Sequence, residues 1–314
     1  MTAVSALAGL SGVTGLSANP FTDLSNMLAY PFMVNAFRAG AAVAVVTGVV
    51  GWFMVLRRQS FAGHTIAVVG FPGAAGAAVL GVAVADGYVA FCLIAALAIA
   101  AVPPSTRRAF SEESAVTGTV QAVLLGLGYL FVTLYHGFVS SVDALLFGSM
   151  LGITSGQVVE LAVVAVIGVV AIAALWRPLL LSSVVPDLAA ARGVPVRLLA
   201  TAFLVLLGLA AAAASQITGS LLVFALLVMP AATAQRLTAR PLAGVVLSVA
   251  IGLGVTWAGL AIAYWSPYPI GFWITTLAFA AYVVAHVAML VTDRRARRVR
   301  RVRVPTVPTA AVVP

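Results

Sequence analysis

The sequence predicts an all-α polytopic membrane protein, and three features of its composition lead to that fold class. Hydrophobic residues make up 63% of the 314 residues, whereas charged residues make up only 8%. A soluble domain carries about 25% charged residues, so lipid must replace water around most of this chain. The apolar residues form continuous runs instead of alternating with polar ones, which disfavours a transmembrane barrel. The same figures exclude a disordered protein and argue against an ordinary soluble enzyme.

Nine apolar runs are separated by segments that contain arginine, proline, glycine or aspartate. A helix needs about 20 residues to cross ~30 Å of hydrocarbon, and most of the runs come close to that length. We therefore expect about nine transmembrane helices. The runs cover 33–55, 64–85, 88–102, 116–136, 157–176, 198–214, 219–235, 242–264 and 272–291.

The arginines predict the orientation of these helices. All 17 basic residues are arginines, and 16 of them follow odd-numbered runs or lie in the C-terminal segment; Arg38 is the exception. Positive residues mark cytoplasmic loops, so the N-terminus is expected outside and the C-terminus in the cytoplasm. The chain then divides into an N-terminal extension (1–29), a transmembrane domain (30–292) and a basic cytoplasmic tail (293–314). The tail is expected to meet lipid headgroups instead of nucleic acid, because no aromatic residues interleave with its arginines.

The long segment after the fifth run predicts a short helix on the cytoplasmic face. Pro186 and Asp187 suit the first turn of a helix, and Gly193 suits the position just past its end. Ala191 and Arg192 would form the last turn. Such a helix could be a docking surface for a soluble partner or a plain amphipathic connector, and the sequence alone favours neither.

Two of the apolar runs contain residues that interrupt helices. They are Phe71, Pro72 and Gly73 in the second run and Met229, Pro230 and Thr233 in the seventh. Broken helices occur in membranes where protein or a cavity covers the freed backbone groups, and in transporters they often line the substrate path. Close packing between helices through small residues is the alternative interpretation.

Few residues in the chain could carry chemistry. His64 begins the second run, where a neutral imidazole could ligate a metal or relay a proton, or could simply bond to backbone at the interface. His286 is expected to hydrogen-bond between helices. We expect His136, Asp143 and Glu160 to be solvated near the outer face, with a role as rim ligands or contacts for an extracellular partner as the alternative. The sequence contains no phosphate-binding loop, no paired histidines or cysteines and no G-x-S-x-G elbow, so an enzyme is disfavoured.

Four stretches, in order, resemble the permease of zinc/manganese/iron-type ATP-binding-cassette (ABC) importers, over roughly residues 30–290. They are Pro31–Arg58, Gly63–Gly73, Trp176–Pro195 and Gly219–Ala234. The resemblance, closest to a zinc-uptake permease, implies a cell-membrane subunit that forms a homodimer. It implies import of a divalent metal, zinc above all, as substrate and not as resident cofactor. It also implies a separate ATPase, docked at the 182–195 segment, and an extracytoplasmic metal-binding protein.

One departure from the family pattern bears on the metal. The family commonly places an aspartate and a histidine one turn apart at the start of the second span, and His64 and Val68 occupy those positions here. His64 would then be a single, transient pathway ligand, and an imidazole suits zinc better than manganese. The absence of the family's aspartate and histidine pair also leaves open a different substrate. Manganese, iron or a metal chelate such as a siderophore are the alternatives. A siderophore- or cobalamin-type permease with ten spans and a non-transport membrane scaffold are the remaining alternatives.

Overall fold

The computed structural model describes residues 26–101, 109–134, 152–220 and 223–302, without the side chains of 109–113, 216–218 and 293–302. Eleven helices and no strands lie within these ranges. They are α1 (Pro31–Leu56), α2 (Ser60–Leu80), α3 (Val84–Ala101), α4 (Ala109–Leu134), α5 (Ser155–Ala174), α6 (Trp176–Val184), α7 (Pro186–Ala191), α8 (Val196–Thr218), α9 (Val223–Leu237), α10 (Pro241–Trp265) and α11 (Ile270–Val302).

The predicted fold class is confirmed. Eight helices in the described part of the chain are long and apolar enough to cross a membrane, namely α1–α5, α8, α10 and α11. The seventh run forms α9, which has only 15 residues. At ~1.5 Å per residue this helix is shorter than ~30 Å of hydrocarbon. Gly219, with φ of 74°, ends α8 ahead of this helix, and Pro241 begins α10 soon after it.

The centre of the bundle is formed by α1, α2, α8 and α9. Most of α1, α2 and α8 is buried, whereas α4, α5 and α11 expose most of their surface. The largest fully buried side chains include Phe53 of α1, Ile66 of α2, Phe203 of α8 and Leu227 of α9. Exposed side chains on the outer helices are themselves apolar, such as Val166 and Val284. Lipid, and not water, is therefore the solvent of the outer helices.

Glycines allow the central helices to touch backbone to backbone. A Cβ added at Gly51 of α1 would fall on the carbonyl oxygen of Leu227 in α9. On another face of α1, a Cβ at Gly48 would lie 2.8 Å from Cα of Val249 in α10. The Ser248 hydroxyl donates to the Gly48 carbonyl over 2.9 Å at the same crossing. Helix α1 is thus packed tightly between α9 and α10, as small residues permit in membrane bundles.

The single cysteine of the chain is part of this packed interior. Cys92 of α3 is fully buried, and its Sγ donates to the Ile66 carbonyl of α2 over 3.3 Å. This contact agrees with the ordinary behaviour of a free cysteine as a small buried hydrophobe.

One end of the bundle carries the α1–α2 turn together with α6 and α7, and we call it the inner end. An open cleft of about 560 Å³ at this end is lined by residues of α5, α6 and Leu242 of α10. Arg57, Arg177 and Arg240 therefore lie at one end, as the charge pattern predicts. That the inner end faces the cytoplasm stays a prediction.

The structure describes the two termini only in part. Residues 1–25 of the predicted N-terminal extension lie outside the described residues, as do His136 and Asp143. Helix α11 continues through Val302, so the first part of the predicted tail is helical. At ~1.5 Å per residue its 33 residues extend well beyond ~30 Å of hydrocarbon.

Candidate functional site

His64 lies one turn into α2 and faces α9. Its half-buried ring meets the ring of Phe224 edge to face, with 5.0 Å between centroids. Its Nδ1 is shielded from solvent and has no hydrogen-bond partner within the described chain. Unpaired buried polar atoms are uncommon in folded proteins, and this nitrogen is one of six such side-chain atoms in the described part of the chain.

The surroundings of His64 supply no strong metal ligands. Val68 occupies the position one turn further along α2, and no group of three or more His, Cys, Asp or Glu residues gathers among the described residues. The next residue, Thr65, is polar, but its hydroxyl already donates to Gln121 Oε1 of α4 over 2.9 Å. A stable divalent-metal site needs several charged or imidazole ligands, and the described residues around His64 do not supply them.

The predicted path residues of α2 make helix-packing contacts. Pro72 is buried against α4, where a Cβ added at Gly128 would lie 2.7 Å from Pro72 Cγ. The backbones of Gly73 and Gly87 of α3 approach so closely that a Cβ on either glycine would meet the other's carbonyl oxygen. Phe71, which directly precedes Pro72, is half-buried. These contacts agree with the alternative interpretation of Pro72 and Gly73, in which they allow neighbouring helices to pack closely.

The predicted path residues of α9 lie beside the centre of the bundle. Pro230 and Thr233 are buried and Met229 is half-buried. Pro230 has no N–H, which leaves the Leu226 carbonyl without its helical donor. One turn further along, the Thr233 hydroxyl donates to the Met229 carbonyl over 2.7 Å. His64 contacts this helix at Phe224, ahead of Met229 and Pro230, and so joins the second and seventh runs.

The short helix predicted after the fifth run is present as α7. Pro186 occupies its first turn, and Gly193, with φ of 75°, follows its end. The preceding helix α6 was not predicted and is separated from α7 by Val185 alone. All five predicted coupling residues are exposed, namely Pro186, Asp187, Ala191, Arg192 and Gly193.

An apolar patch accompanies these coupling residues. Val184, Val185 and Leu188 are 63%, 43% and 42% exposed, whereas Ala189 is buried against the bundle. Exposed apolar side chains rimmed by polar residues mark interaction surfaces. We call Val184, Val185 and Leu188 the α7 patch.

In the sequence, Arg57 is only one of the arginines that predict the orientation of the helices. In the structure, its side chain contacts two other helices at the inner end. Its guanidinium donates to Ser182 Oγ over 3.3 Å and to Ser183 Oγ over 3.2 Å, both in α6. It also lies 5.2 Å from the centre of the Phe203 ring in α8. No local signal could reveal contacts between residues more than a hundred positions apart.

A bundle of spanning helices with prolines inside two central helices and an exposed helix at its inner end is consistent with a membrane transport subunit. The chain belongs to the ABC 3 transport family, whose model matches residues 29–289. This range agrees with the resemblance seen in the sequence, and it places the protein in the cell membrane as a multi-pass permease.

Two relatives and two solved structures illustrate the similarity. The manganese transport system membrane protein MntC of Halalkalibacterium halodurans is 32% identical over 214 residues, 68% of this chain and 72% of its own. The chelated iron transport system membrane protein YfeC of Yersinia pestis is 32% identical over 225 residues, 72% and 74% of the two chains. Among solved structures, PsaBC from Streptococcus pneumoniae in complex with Fab gives a TM-score of 0.75 at 26% identity, covering 85% and 95%. A putative metal-chelate type ABC transporter shares the fold at 16% identity, with a TM-score of 0.66.

Proposed function

We propose that the chain is the permease subunit of an ABC importer for a divalent transition metal. The observation that carries this proposal is its membership of the ABC 3 transport family over nearly the whole membrane domain. A separate ATPase subunit would hydrolyse ATP, and an extracytoplasmic binding protein would deliver the metal. Two copies of the permease would form the membrane part of the importer.

The coupling residues and the α7 patch would form the docking surface for the ATPase. Leu188 and its neighbours offer apolar area, and Asp187 and Arg192 offer charges at its rim. Interfaces between subunits combine an apolar centre with a polar rim in this way. Movement of the ATPase would thus reach the bundle through α7 and α6, and α2 and α9 would change access to the path.

His64 would act as a transient ligand on the metal's path. Its buried, unpaired Nδ1 supports this role, and the scarcity of neighbouring ligands suits rapid release. Transport requires binding that is favourable enough for entry and weak enough for exit. No resident cofactor is part of the proposal, and the metal is the substrate.

Manganese is our first choice of metal and zinc our second. The relatives described above are named for manganese or chelated iron at 32% identity, and neither name refers to zinc. In favour of zinc, an imidazole ligand without a carboxylate suits zinc better than manganese.

The test is uptake into proteoliposomes that contain the permease, its ATPase and its binding protein, with Mn²⁺, Zn²⁺ and Fe²⁺ offered in parallel. ATP-dependent uptake of Mn²⁺ in preference to the other ions is expected. Preferential uptake of Zn²⁺ would support the second choice. Uptake only of a chelated metal would contradict both, and absence of any ATP-dependent uptake would contradict the importer itself.

His64→Ala is expected to lower the initial rate of metal uptake by about tenfold, the scale on which groups around a metal act. The matched control is His286→Ala, because the Nδ1 of His286 in α11 is also buried without a partner within the described chain. The control should retain uptake. Both variants are first compared for assembly with the ATPase. Equal uptake by the two variants would reduce His64 to an ordinary buried histidine.

A further inference from the structure

Three separate elements of the inner end meet at the side chain of Arg57. Arg57 follows the last residue of α1, and its Nε donates to Gln59 Oε1 over 3.2 Å in the turn that leads to α2. The two hydrogen bonds to Ser182 and Ser183 hold α6, and the Phe203 ring belongs to α8. A guanidinium suits this task because its donors form a rigid planar fork that also stacks on aromatic rings.

The two serines are oriented to receive the guanidinium. Each hydroxyl donates its proton to the Leu179 carbonyl, over 3.0 Å from Ser182. Their lone pairs are therefore free to accept from Arg57, since a hydroxyl both donates one proton and accepts. Because Ser182 is buried, loss of its charged donor would leave an oxygen that water reaches poorly.

Helix α6 is fixed to the end of α1 at both of its own ends. Trp176 at its start stacks on Trp52, with centroids 6.5 Å apart and planes 13° apart, and its ring also meets Phe53 edge to face. Ser182 and Ser183 near its end are held by Arg57. Side-chain contacts therefore join α1 to α6, and α7 follows α6 directly in the chain after Val185.

A plain orientation charge would not need this arrangement. Arg58, the adjacent residue, carries the same charge and is exposed, whereas Arg57 is half-buried. Arg58 alone would satisfy the charge pattern that marks a cytoplasmic loop. The half-burial of Arg57 and its contacts with Gln59, Ser182, Ser183 and Phe203 therefore indicate a role beyond helix orientation.

We propose that Arg57 is a positioning residue that transmits movement of α6 and α7 to the α1–α2 turn, and hence to α2 and His64. This inference rests on the proposed function, because it assigns to Arg57 the step between ATPase docking and metal passage. Arg57 does not touch the metal. Its loss should separate ATP hydrolysis from transport while both partners remain assembled.

The experiment measures metal ions transported per ATP hydrolysed in proteoliposomes containing the permease, its ATPase and its binding protein. Arg57→Lys keeps the charge but loses the fork, and Arg57→Gln loses both; Arg58→Lys and Arg58→Gln are the matched controls. We expect both Arg57 variants to lower the ratio by about tenfold, a usual size for coupling between sites. The Arg58 variants should keep the wild-type ratio.

A double variant, Ser182→Ala with Ser183→Ala, tests the same contact from the other side and should lower the ratio as well. Wild-type ratios in the Arg57 variants would overturn the proposal. So would a parallel fall of hydrolysis, uptake and melting temperature, which indicates a purely structural role. If the Arg57 variants do not assemble, a wild-type ratio in the serine variant overturns it. Absence of uptake by the wild-type complex would instead contradict the importer.

Discussion

Replacing Gly51 by alanine is expected to destabilise the protein strongly and to abolish metal uptake. The added Cβ would lie on the Leu227 carbonyl oxygen of α9, which is backbone and cannot rotate away. Forced overpacking costs about 1–3 kcal/mol and occasionally more, and here relief requires two central helices to separate. The measurement is the melting temperature of the detergent-solubilised permease, followed by uptake in proteoliposomes.

Gly126→Ala is the matched control for this variant. A Cβ at Gly126 of α4 would meet nothing within 4 Å, and the residue is exposed. Alanine favours a helix over glycine by about 1 kcal/mol, so the control should be as stable as the wild type or slightly more stable. Equal melting temperatures for both variants would contradict the close contact between α1 and α9.

Leu188→Asp is expected to abolish association with the ATPase and, with it, uptake. Leu188 is 42% exposed and belongs to the α7 patch, so the permease itself should fold normally. A carboxylate in the apolar centre of an interface would be desolvated without a partner. Losses at such positions reach 2 kcal/mol or more, which corresponds to about 30-fold in affinity. The measurement is co-purification of the ATPase with the tagged permease, together with its dissociation constant.

The control for Leu188 is Leu237→Asp at the end of α9. Leu237 is 43% exposed, nearly the same as Leu188, and it lies at the inner end but outside the α7 patch. This variant should retain most of the ATPase affinity. If both variants bind the ATPase as the wild type does, α7 is a connector and not a docking surface.

The parts of the fold that the sequence predicts are those governed by local chemistry. Apolar runs and arginine loops place eight spanning helices and α9, and the residue pair Pro186 and Gly193 places α7. The boundary between α8 and the seventh run could be judged only from the structure, because an apolar run does not reveal where a helix ends. Gly219 opens the predicted seventh run but in fact ends α8.

The contacts between helices could not be predicted, because they join residues that are far apart in the sequence. Pro72 and Gly73 fit both a path lining and a helix crossing by residue type alone, and only their contacts with Gly128 and Gly87 distinguish the two. Similarly, the arginines identify an inner loop, but they do not reveal that Arg57 is half-buried against α6 whereas Arg58 is exposed. That difference depends on where α6 packs.

The burial of Cys92 makes the natural protein a convenient background for thiol labelling. It is the only cysteine in the sequence, and it has no exposed surface. Thiol reagents should therefore leave the unmodified permease almost untouched, and no cysteine-free variant has to be constructed first. A cysteine introduced in place of Val68, on the face of α2 next to His64, would then be the reactive thiol. Its modification rate with and without ATP would report when that position opens to water.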